Sequence, residues 1–573
     1  MTKSVIVLYN KNKIIIKGIG DTSMEKIIIT FTSGEKREYP KGVKLSEIIE
    51  DIKHNYPFEI ISAKFKNQLI GYEDAIMKSG NLELFDITTS QGNKIYERGL
   101  IYLFETCTLR VLGKDTKIKI RHPIDKGIYC EIDKKVTEAD VEKIKNLMHE
   151  KVKQALPFEQ IETSRIEAIE YFKKLERYDK VKTLSYTISN FVKLYKFDGI
   201  YNYIIGDLPN NAGILKKFDL TLLEGKGIVL RFPFTHTNGK IVKYTYHEKY
   251  VNSLEEYAKW GELLHINNIG ELNEAIIDKG AGEIINLSEI LQDYKLLTIA
   301  EEISLNKDNI KVILLSGPSS SGKTTTAKKL ALYLKTLGLS PHQLSLDDYF
   351  LERDKTPLDE EGKPDYEGIK AIDIKLFNNQ MEKLLKGVSV VTPTYNFITG
   401  KKNFNKPLKL EENDILIVEG LHALNEEISK EIPQKNKYKI YISPLIYLNI
   451  DDDNRISLTD IRLLRRMIRD YRTRGHSPSK TLASWQDVRK GEEKYVFPYQ
   501  DDANVIFNTF LVYELSVLKS YVEPLLYSVP PEDPEYHTAI RLLEILKLVL
   551  PIPSNDVPKL SILREFIGGG YFE

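Results

Sequence analysis

Cysteine and tryptophan are scarce in this 573-residue chain, which has two of each. Cys107 and Cys130 are too few for a disulfide framework and lack the CxxC spacing of common zinc sites. Their scarcity excludes the class of small, disulfide-rich secreted domains. We expect the protein to occupy the reducing cytoplasm.

The chain also lacks an excess of either charge, because 82 Lys and Arg residues balance 82 Asp and Glu residues. This balance argues against wholesale electrostatic attraction to nucleic acid or anionic lipid, although a local basic patch stays compatible with it. No apolar run approaches the roughly 20 residues of a membrane-spanning helix, and residues 1–18 lack the features of a signal peptide. We expect a soluble protein without membrane contact.

What the chain has is length and apolar content, with 42% hydrophobic residues. At roughly 100–200 residues per domain, this predicts several domains, each with its own core. The strand and helix patterns predict a multidomain α/β and α+β protein. We expect four regions: an α+β domain (1–90), a second α+β domain (91–245), a helical connector (246–308) and an α/β domain with a doubly wound parallel sheet (309–573).

The strongest chemical signal is a GxxxxGK[ST] motif at residues 317–324, between a predicted strand (311–315) and a predicted helix (325–337). Such a loop turns its backbone N–H groups toward phosphate, Lys323 would bridge the β- and γ-phosphates, and Thr324 would bind Mg²⁺. A Gly/Ser-rich connector is the alternative. The residues expected to bind ATP are Gly317, Ser319, Ser320, Ser321, Gly322, Lys323, Thr324 and Thr325.

A second predicted strand, Asp414–Glu419, ends in a carboxylate where a metal-organising acid is expected. We therefore predict Glu419, together with Thr324, as the metal-binding residues. The alternative is a strand-end acid that faces solvent.

Asp347 follows another predicted strand, residues 342–346, and is our candidate for the general base. A carboxylate at this strand's carboxyl end would lie on the same sheet edge as the phosphate loop and could accept a proton from an attacking hydroxyl. Asp348 would then point away. The alternative is that both are turn or helix-capping acids.

Six arginines but only one acid, Asp470, lie between residues 461 and 474. Arg462, Arg465 or Arg466, and Arg469 fall on one helical face at three- and four-residue spacing. Such crowding is costly unless an anion or a neighbouring acidic surface relieves it, and a transferred phosphate would do so. A solvated basic face is the alternative.

Residues 310–530 resemble the uridine kinase and phosphoribulokinase group of P-loop kinases. Besides the phosphate loop, the resemblance rests on residues 347–350 (DDYF), 393–397 (PTYNF), Glu419-Gly420 and the arginine-rich stretch. It implies a kinase that uses ATP and Mg²⁺, with Asp347 as the base toward a sugar 5′-hydroxyl. It also implies that Glu367 holds ribose hydroxyls, that Tyr395 contacts the base, and that a lid carries Arg466, Arg469 and Arg474.

On this basis we expect two sets of functional residues in the kinase-like region. The catalytic residues would be Asp347, Lys323, Arg469 and Arg474. The substrate-binding residues would be Asp347, Tyr349, Glu367, Tyr395, Arg466 and Arg469. One position departs from the family pattern: Gly400 stands where these nucleoside kinases usually carry a base-reading His. The sequence therefore does not identify the nucleoside.

The first region resembles the TGS domain, a ubiquitin-like β-grasp module of threonyl-tRNA synthetases, through residues 27–35 and 70–74. Residues 94–235 resemble the editing-type domain that follows it in those enzymes, and residues 178–185 are expected to form a strand. The HxxxH positions of the editing motif are here Gly99 and Leu103. We therefore expect the editing chemistry to be missing.

The expected function is ATP-dependent phosphorylation of a small-molecule hydroxyl, first of all the 5′-hydroxyl of a nucleoside. One alternative is an RNA- or tRNA-binding or sensory protein that uses the P-loop as a nucleotide switch. Another is a phosphoribulokinase-like enzyme for a sugar phosphate, which needs a second anion site. For the N-terminal half, RNA binding, positioning of a lid and homo-oligomer formation stay open.

Overall fold

The computed structural model describes residues 8–10, 13–15, 25–125, 127–223, 225, 227–358, 362, 364–396 and 399–573. Phe397, part of the PTYNF motif, and most of residues 1–24, on which the signal-peptide expectation rests, lie outside these ranges. None of the helices in the described part of the chain combines the length and the apolar character needed to cross a membrane.

The first region is a mixed five-stranded sheet that packs on one helix, preceded by a short hairpin. In its strand at Lys26–Phe31, Ile27, Ile29 and Phe31 are buried in alternation, as expected for a sheet with one covered face. The sheet order is β4-β3-β9-β6-β7. The elements are β1 (Leu8–Asn10), β2 (Lys13–Ile15), β3 (Lys26–Phe31), β4 (Lys36–Pro40), β5 (Val43–Lys44), α1 (Leu45–Ile52), β6 (Ser62–Phe65), β7 (Gln68–Ile70), β8 (Ala75–Ile76) and β9 (Gly80–Phe85).

The second region has two antiparallel sheets, of orders β10-β11-β16-β15 and β12-β13-β14, and a long buried helix. Its elements are α2 (Ser90–Leu112), β10 (Ile118–Ile124), β11 (Gly127–Ile132), α3 (Glu138–Gln154), β12 (Glu159–Ser164), α4 (Arg165–Lys174), α5 (Tyr178–Ser185), β13 (Phe191–Phe197), β14 (Ile200–Asn202), β15 (Asp219–Leu223) and β16 (Gly227–Arg231). Here one prediction is wrong: residues 178–185 form a helix, because Lys180, Thr183 and Leu184 turn one helical face into the protein.

Gly99 and Leu103, the two HxxxH positions, lie in the interior of the second region. Leu103 is fully buried, and a Cβ atom at Gly99 would lie 2.7 Å from the ring of Pro209. Apolar packing therefore fills the space around both positions.

Three helices occupy the predicted connector: α6 (Glu248–Leu264), α7 (Ile269–Asp278) and α8 (Ala281–Leu305). Of these, α6 and α8 pack against the central sheet of the last region, whereas α7 contacts α5 and α8. Leu296, Ile299 and Ile303 of α8 share a core with Ile313 and Leu315 of that sheet.

The last region contains a five-stranded parallel sheet of order β18-β21-β17-β22-β23 with helices on both faces. This confirms the predicted parallel α/β architecture. The elements are β17 (Val312–Ser316), α9 (Lys323–Thr336), β18 (Ser340–Ser345), α10 (Ile374–Leu385), β19 (Val390–Asn396), β20 (Lys401–Leu408), β21 (Asp414–Glu419), β22 (Lys437–Ser443), α11 (Leu458–Arg474), α12 (Pro478–Ala483), α13 (Trp485–Tyr495), β23 (Val505–Asn508), α14 (Glu514–Tyr527), α15 (Tyr536–Leu546) and α16 (Arg564–Ile567).

Candidate functional site

Three parallel strands end together and define the floor of a cleft. Leu315 of β17 lies beside Glu419 of β21, and Glu419 lies beside Ser345 of β18. The loop after β17, the carboxylate that ends β21 and the residues after β18 therefore meet at one edge of the sheet. Ligands of open α/β sheets bind at this carboxyl edge.

The loop from β17 to α9 requires its two glycines for steric reasons. A Cβ atom at Gly317 would lie 2.1 Å from the carbonyl oxygen of Ile442, and Gly322 has a φ of +91°. Within the described residues, no acceptor pairs with the backbone N–H groups of Lys323 and Thr324 at the start of α9. This end of the helix is therefore open to an anion.

The Lys323 side chain folds back over this loop. Its Nζ donates hydrogen bonds to the carbonyl oxygens of Gly317 (2.9 Å) and Pro318 (3.0 Å). Burial lowers the pKa of Lys323, whereas the neighbouring carboxylates of Glu419 and Asp347 act in the opposite direction. The amine and the two acids therefore share one small region of the cleft.

Asp347 and Glu419 are two neighbouring acids beside this amine. Burial raises the pKa of Asp347, and Lys323 is the main charge that opposes the rise. Burial and then the charge of Asp347 raise the pKa of Glu419 to about 7, against a hydrogen bond with Ser345. Although protein atoms surround its carboxyl group, Asp347 keeps solvent contact through the open cleft. A carboxylate here is accessible to a bound hydroxyl.

Asp348 turns to the other side and accepts a hydrogen bond of 3.0 Å from the backbone N–H of Tyr395 on β19. It thereby ties the β19–β20 hairpin to the cleft. Tyr395 itself is largely buried, with its ring centroid 5.9 Å from that of Phe350.

Glu367 lies on the rim of the cleft, half-buried. Burial raises its pKa, and the charge of Arg466 is the largest opposing influence. The backbone of Glu367 is held by His422, whose Nε2 lies 2.9 Å from the Glu367 carbonyl oxygen. The structure thus brings Glu367 into the same charged environment as Asp347 and Lys323.

The structure places the predicted substrate-binding residue Tyr349 in the core and not in the cleft. Its side chain is fully buried, and its hydroxyl group donates a 2.7 Å hydrogen bond to Gln380 of α10. Its ring also makes an edge contact with Phe377, at a centroid distance of 5.1 Å. Residues 346–349 form one 3₁₀ turn, in which successive side chains point about 120° apart, so Tyr349 faces the core while Asp347 faces the cleft.

We expect the substitution Tyr349→Phe to lower the free energy of unfolding by about 1 kcal/mol, because the buried Gln380 oxygen loses its donor. Urea denaturation measures this loss. The half-exposed Tyr366 offers the matched control, since Tyr366→Phe should leave stability unchanged. Equal stability of wild type and Tyr349→Phe would contradict the assignment of Tyr349 to the core.

Five of the six arginines of helix α11, the arginine helix, fall into two groups. Arg462 and Arg465 are fully buried and form ion pairs with Glu492 of α13 and Glu514 of α14. The neighbouring acidic surface therefore relieves these two charges, and they are unavailable to a phosphate. The sequence gives little sign of these pairs, because the acids lie about 30 and 50 residues further along the chain.

The second group consists of Arg466, Arg469 and Arg474, which surround the buried Asp470. Their guanidinium nitrogens lie 3.3, 2.8 and 3.4 Å from its carboxylate oxygens. The charges of Arg474 and Arg469 also act to lower the pKa of Asp347. One carboxylate cannot neutralise three guanidinium groups, so this cluster retains positive charge beside the acid pair.

One residue at the site carried no sequence signal. Glu565 of α16 accepts a 3.1 Å hydrogen bond from the backbone N–H of Thr325, in the first turn of α9. Its neighbour Ile562 lies against the phosphate loop, 2.6 Å from where a Cβ atom of Gly322 would be. A protein carboxylate thus occupies part of the anion-binding end of this helix.

Residues 312–516 match the family model described as the Phosphoribulokinase / Uridine kinase family. The uridine kinase of Staphylococcus haemolyticus is 28% identical over 199 residues, which are 35% of this chain and 87% of that protein. The threonine–tRNA ligase of Caldanaerobacter subterraneus subsp. tengcongensis is 26% identical over 205 residues, 35% of this chain. The match spans about a third (32%) of that ligase's own length. The D-glycerate 3-kinase structure from Cryptococcus neoformans aligns over 34% of this chain and 78% of its own, with 15% identity and a TM-score of 0.23.

Proposed function

Residues 312–516 form a domain of the phosphoribulokinase and uridine kinase family, and from this premise we propose that the protein transfers a phosphoryl group from ATP to a nucleoside 5′-hydroxyl. The observation that supports the proposal most directly is the placement of Asp347 and Lys323. Both lie at the carboxyl edge of one parallel sheet, close enough for each charge to shift the pKa of the other. A base for the acceptor and a cation for the phosphates are the two groups this reaction needs.

The side chains of the cleft suit in-line transfer by positioning and charge. Asp347 would accept the proton of the acceptor hydroxyl. Lys323, already seated on the phosphate loop, supplies a positive charge to the terminal phosphates. Arg469 and Arg474 add positive charge near Asp347, where they would stabilise the negative charge that develops on the transferred group.

The donor groups present also fit Mg²⁺. Thr324 is exposed at the start of α9, and Glu419 ends β21, the strand that pairs with β17 just before the loop. One hydroxyl and one carboxylate are typical of protein ligands for Mg²⁺, which usually completes its shell with water and substrate phosphates. When bound there, Mg²⁺ would neutralise charge on the β- and γ-phosphates. A nearby cation would favour the ionised form of Glu419, whose pKa is raised.

For the acceptor, we propose that Glu367 binds ribose hydroxyls and that Tyr395 lies against the base. Glu367 shares the charged cleft with Asp347, and the Tyr395 backbone is tied to the neighbouring Asp348. The charge of Arg466 favours the ionised form of this carboxylate against the effect of burial.

A phosphorylated sugar is the second candidate acceptor, and Arg353 is the observation that favours it. A Cβ atom at Gly400 would lie 2.7 Å from the Arg353 Cβ and 3.1 Å from its Nε. Arg353 therefore occupies the space that a side chain at position 400 would need. A guanidinium group there is better suited to an anionic group than to a neutral pyrimidine edge.

Incubation with ATP, Mg²⁺ and a panel of nucleosides and sugar phosphates tests the proposal, with product identification by mass spectrometry. We expect a nucleoside 5′-monophosphate. A bisphosphate formed from a sugar phosphate would select the second candidate. If no acceptor is phosphorylated although ATP binds, the kinase proposal is wrong.

An RNA-binding role for the N-terminal half is supported by its match to a threonine–tRNA ligase. Filter binding of tRNA over a range of salt concentrations separates this role from catalysis. Contacts to several phosphates would give a steep decrease of the binding constant with salt. Weak binding without a salt slope would exclude it.

Glu565 should limit the affinity for ATP. In the substitution Glu565→Ala, the Thr325 N–H loses its carboxylate acceptor and becomes free for a phosphate. We expect the KM for ATP to decrease about threefold, the effect of one charge at a helix end, with little change in kcat. Glu573→Ala is the control. Glu573 lies on the same C-terminal segment as Glu565, but it pairs with Arg472 of α11. An equal or higher KM in Glu565→Ala would contradict this role.

A further inference from the structure

The segment that leads from the central sheet to the arginine helix, residues 449–455, is held by the N-terminal half. Lys180 of α5 places its Nζ 3.2 Å from Asp451 and 2.9 Å from Asp453. All three side chains have at most 1% of their surface exposed. Arg177 also pairs with Asp453, at 2.9 Å. Buried charges of this kind are tolerated only when paired, so this contact is an obligatory attachment between the two halves.

Uncharged hydrogen bonds reinforce the attachment of this segment. The Asn454 side chain donates to the carbonyl oxygen of Tyr203 (2.8 Å) and accepts from the backbone N–H of Ile205 (2.9 Å). Thr183 of α5 donates to the carbonyl oxygen of Ile450 at 3.0 Å. Backbone and side chains of the segment are therefore both held in place.

A second attachment lies in the first turn of the arginine helix itself. Asp460 is buried and accepts two hydrogen bonds from Arg541, at 2.6 and 2.8 Å. Lys94, on α2 of the N-terminal half, lies 3.6 Å from the same carboxylate. The start of the helix is thus fixed between the N-terminal half and α15.

The opposite side of the same helix contacts the phosphate loop. Arg462 donates to the carbonyl oxygen of Ser319 at 2.9 Å, and Arg466 donates to the Ser319 hydroxyl at 2.8 Å. Arg465 reaches the carbonyl oxygen of Ser320 at 3.4 Å. A shift of the helix would move these contacts together with the arginines that face Asp347.

We propose that the N-terminal half holds the arginine helix in the position needed for phosphoryl transfer, with Lys180 as the main positioning residue. The expected effect on the rate rests on the proposed kinase function. The expected effect on the position of the helix rests on the geometry of the contact alone. Lys180 does not contact the cleft, so its effect must pass through residues 449–455 and α11. Misplacement of a catalytic group by about 1 Å can lower the rate 100-fold, so a modest shift of this helix is enough to lower kcat.

The full-length variant Lys180→Met tests the proposal with two measurements. Hydrogen–deuterium exchange should be at least about threefold faster in peptides from residues 458–474, and unchanged in peptides from β17. The kcat should decrease about tenfold at saturating ATP and acceptor, while the KM for ATP changes less than about threefold. If Lys180→Met does not fold, Thr183→Val removes one hydrogen bond to the same segment and should give smaller changes in the same direction.

Lys64→Met is the matched control. Lys64 is also a buried lysine of the N-terminal half, and it contacts the carbonyl oxygen of Pro534 at 3.0 Å, away from residues 449–455. This variant should keep the exchange of α11 and the kcat of wild type. Unchanged exchange in Lys180→Met, or an equal change in Lys64→Met, would overturn the proposal. If wild type phosphorylates no acceptor, the proposed function fails. The exchange measurement still decides whether the N-terminal half holds the arginine helix in position.

Discussion

In the substitution Asp347→Asn, kcat should decrease at least about 100-fold while ATP binding stays near that of wild type. The amide has nearly the shape of the carboxylate, but it cannot accept the proton of an acceptor hydroxyl. ATP should still bind, because the phosphate loop and Lys323 are unchanged. Steady-state kinetics and a direct titration of ATP measure the two quantities separately. Turnover at the wild-type rate would remove Asp347 as the base.

Asp348→Asn is the control for this experiment, because Asp348 is the adjacent acid and faces the hairpin. The asparagine can still accept the Tyr395 N–H, so kcat should stay within about threefold of wild type. A comparable loss in both variants would indicate that the turn is disturbed rather than that a base is missing.

The pH dependence adds a second signature of Asp347. Only the ionised form accepts a proton, and the pKa of Asp347 is raised by burial. The rate of wild type should therefore fall as the pH decreases through this raised pKa, at a higher pH than for an ordinary aspartate. The residual rate of Asp347→Asn should lack this decrease.

The substitution Lys323→Met should lower kcat about 100- to 1,000-fold, the usual effect of removing one preorganised cationic or hydrogen-bonding group from developing charge. Two causes act together. The transferred phosphoryl group loses its positive partner, and the Asp347–Glu419 pair loses the amine that lowers the pKa of both acids. The remaining activity should therefore begin to fall at a higher pH than in wild type.

Lys328→Met is the matched control on the same helix, α9. Lys328 donates to the carbonyl oxygen of Phe572 at 2.9 Å, away from the acid pair. Its loss should leave kcat and the pH profile unchanged. If Lys323→Met keeps the pH profile of wild type, the electrostatic coupling between the amine and the two acids is not functional.

Much of the local structure was predictable because its causes are close in sequence. The α3 helix begins after Thr137, whose side chain and Asp140 form the capping box that their spacing indicates. The apolar run at 414–419 forms β21 at those same residues. The P-loop motif required a strand before it and a helix after it, and both are present. Residues 178–185 were mispredicted because a short segment with mixed polarity has no clear period.

The amino-acid sequence by itself determined the α/β class of the last region, its parallel sheet and the glycine turn between β17 and α9, since glycine spacing and apolar runs act over a few residues. Only the tertiary structure decided which arginines are available to a ligand, because Glu492 and Glu514 neutralise Arg462 and Arg465 from distant helices. It also decided that Glu565 reaches the first turn of α9. These outcomes depend on contacts between residues far apart in the chain, and local spacing carries no information about such contacts.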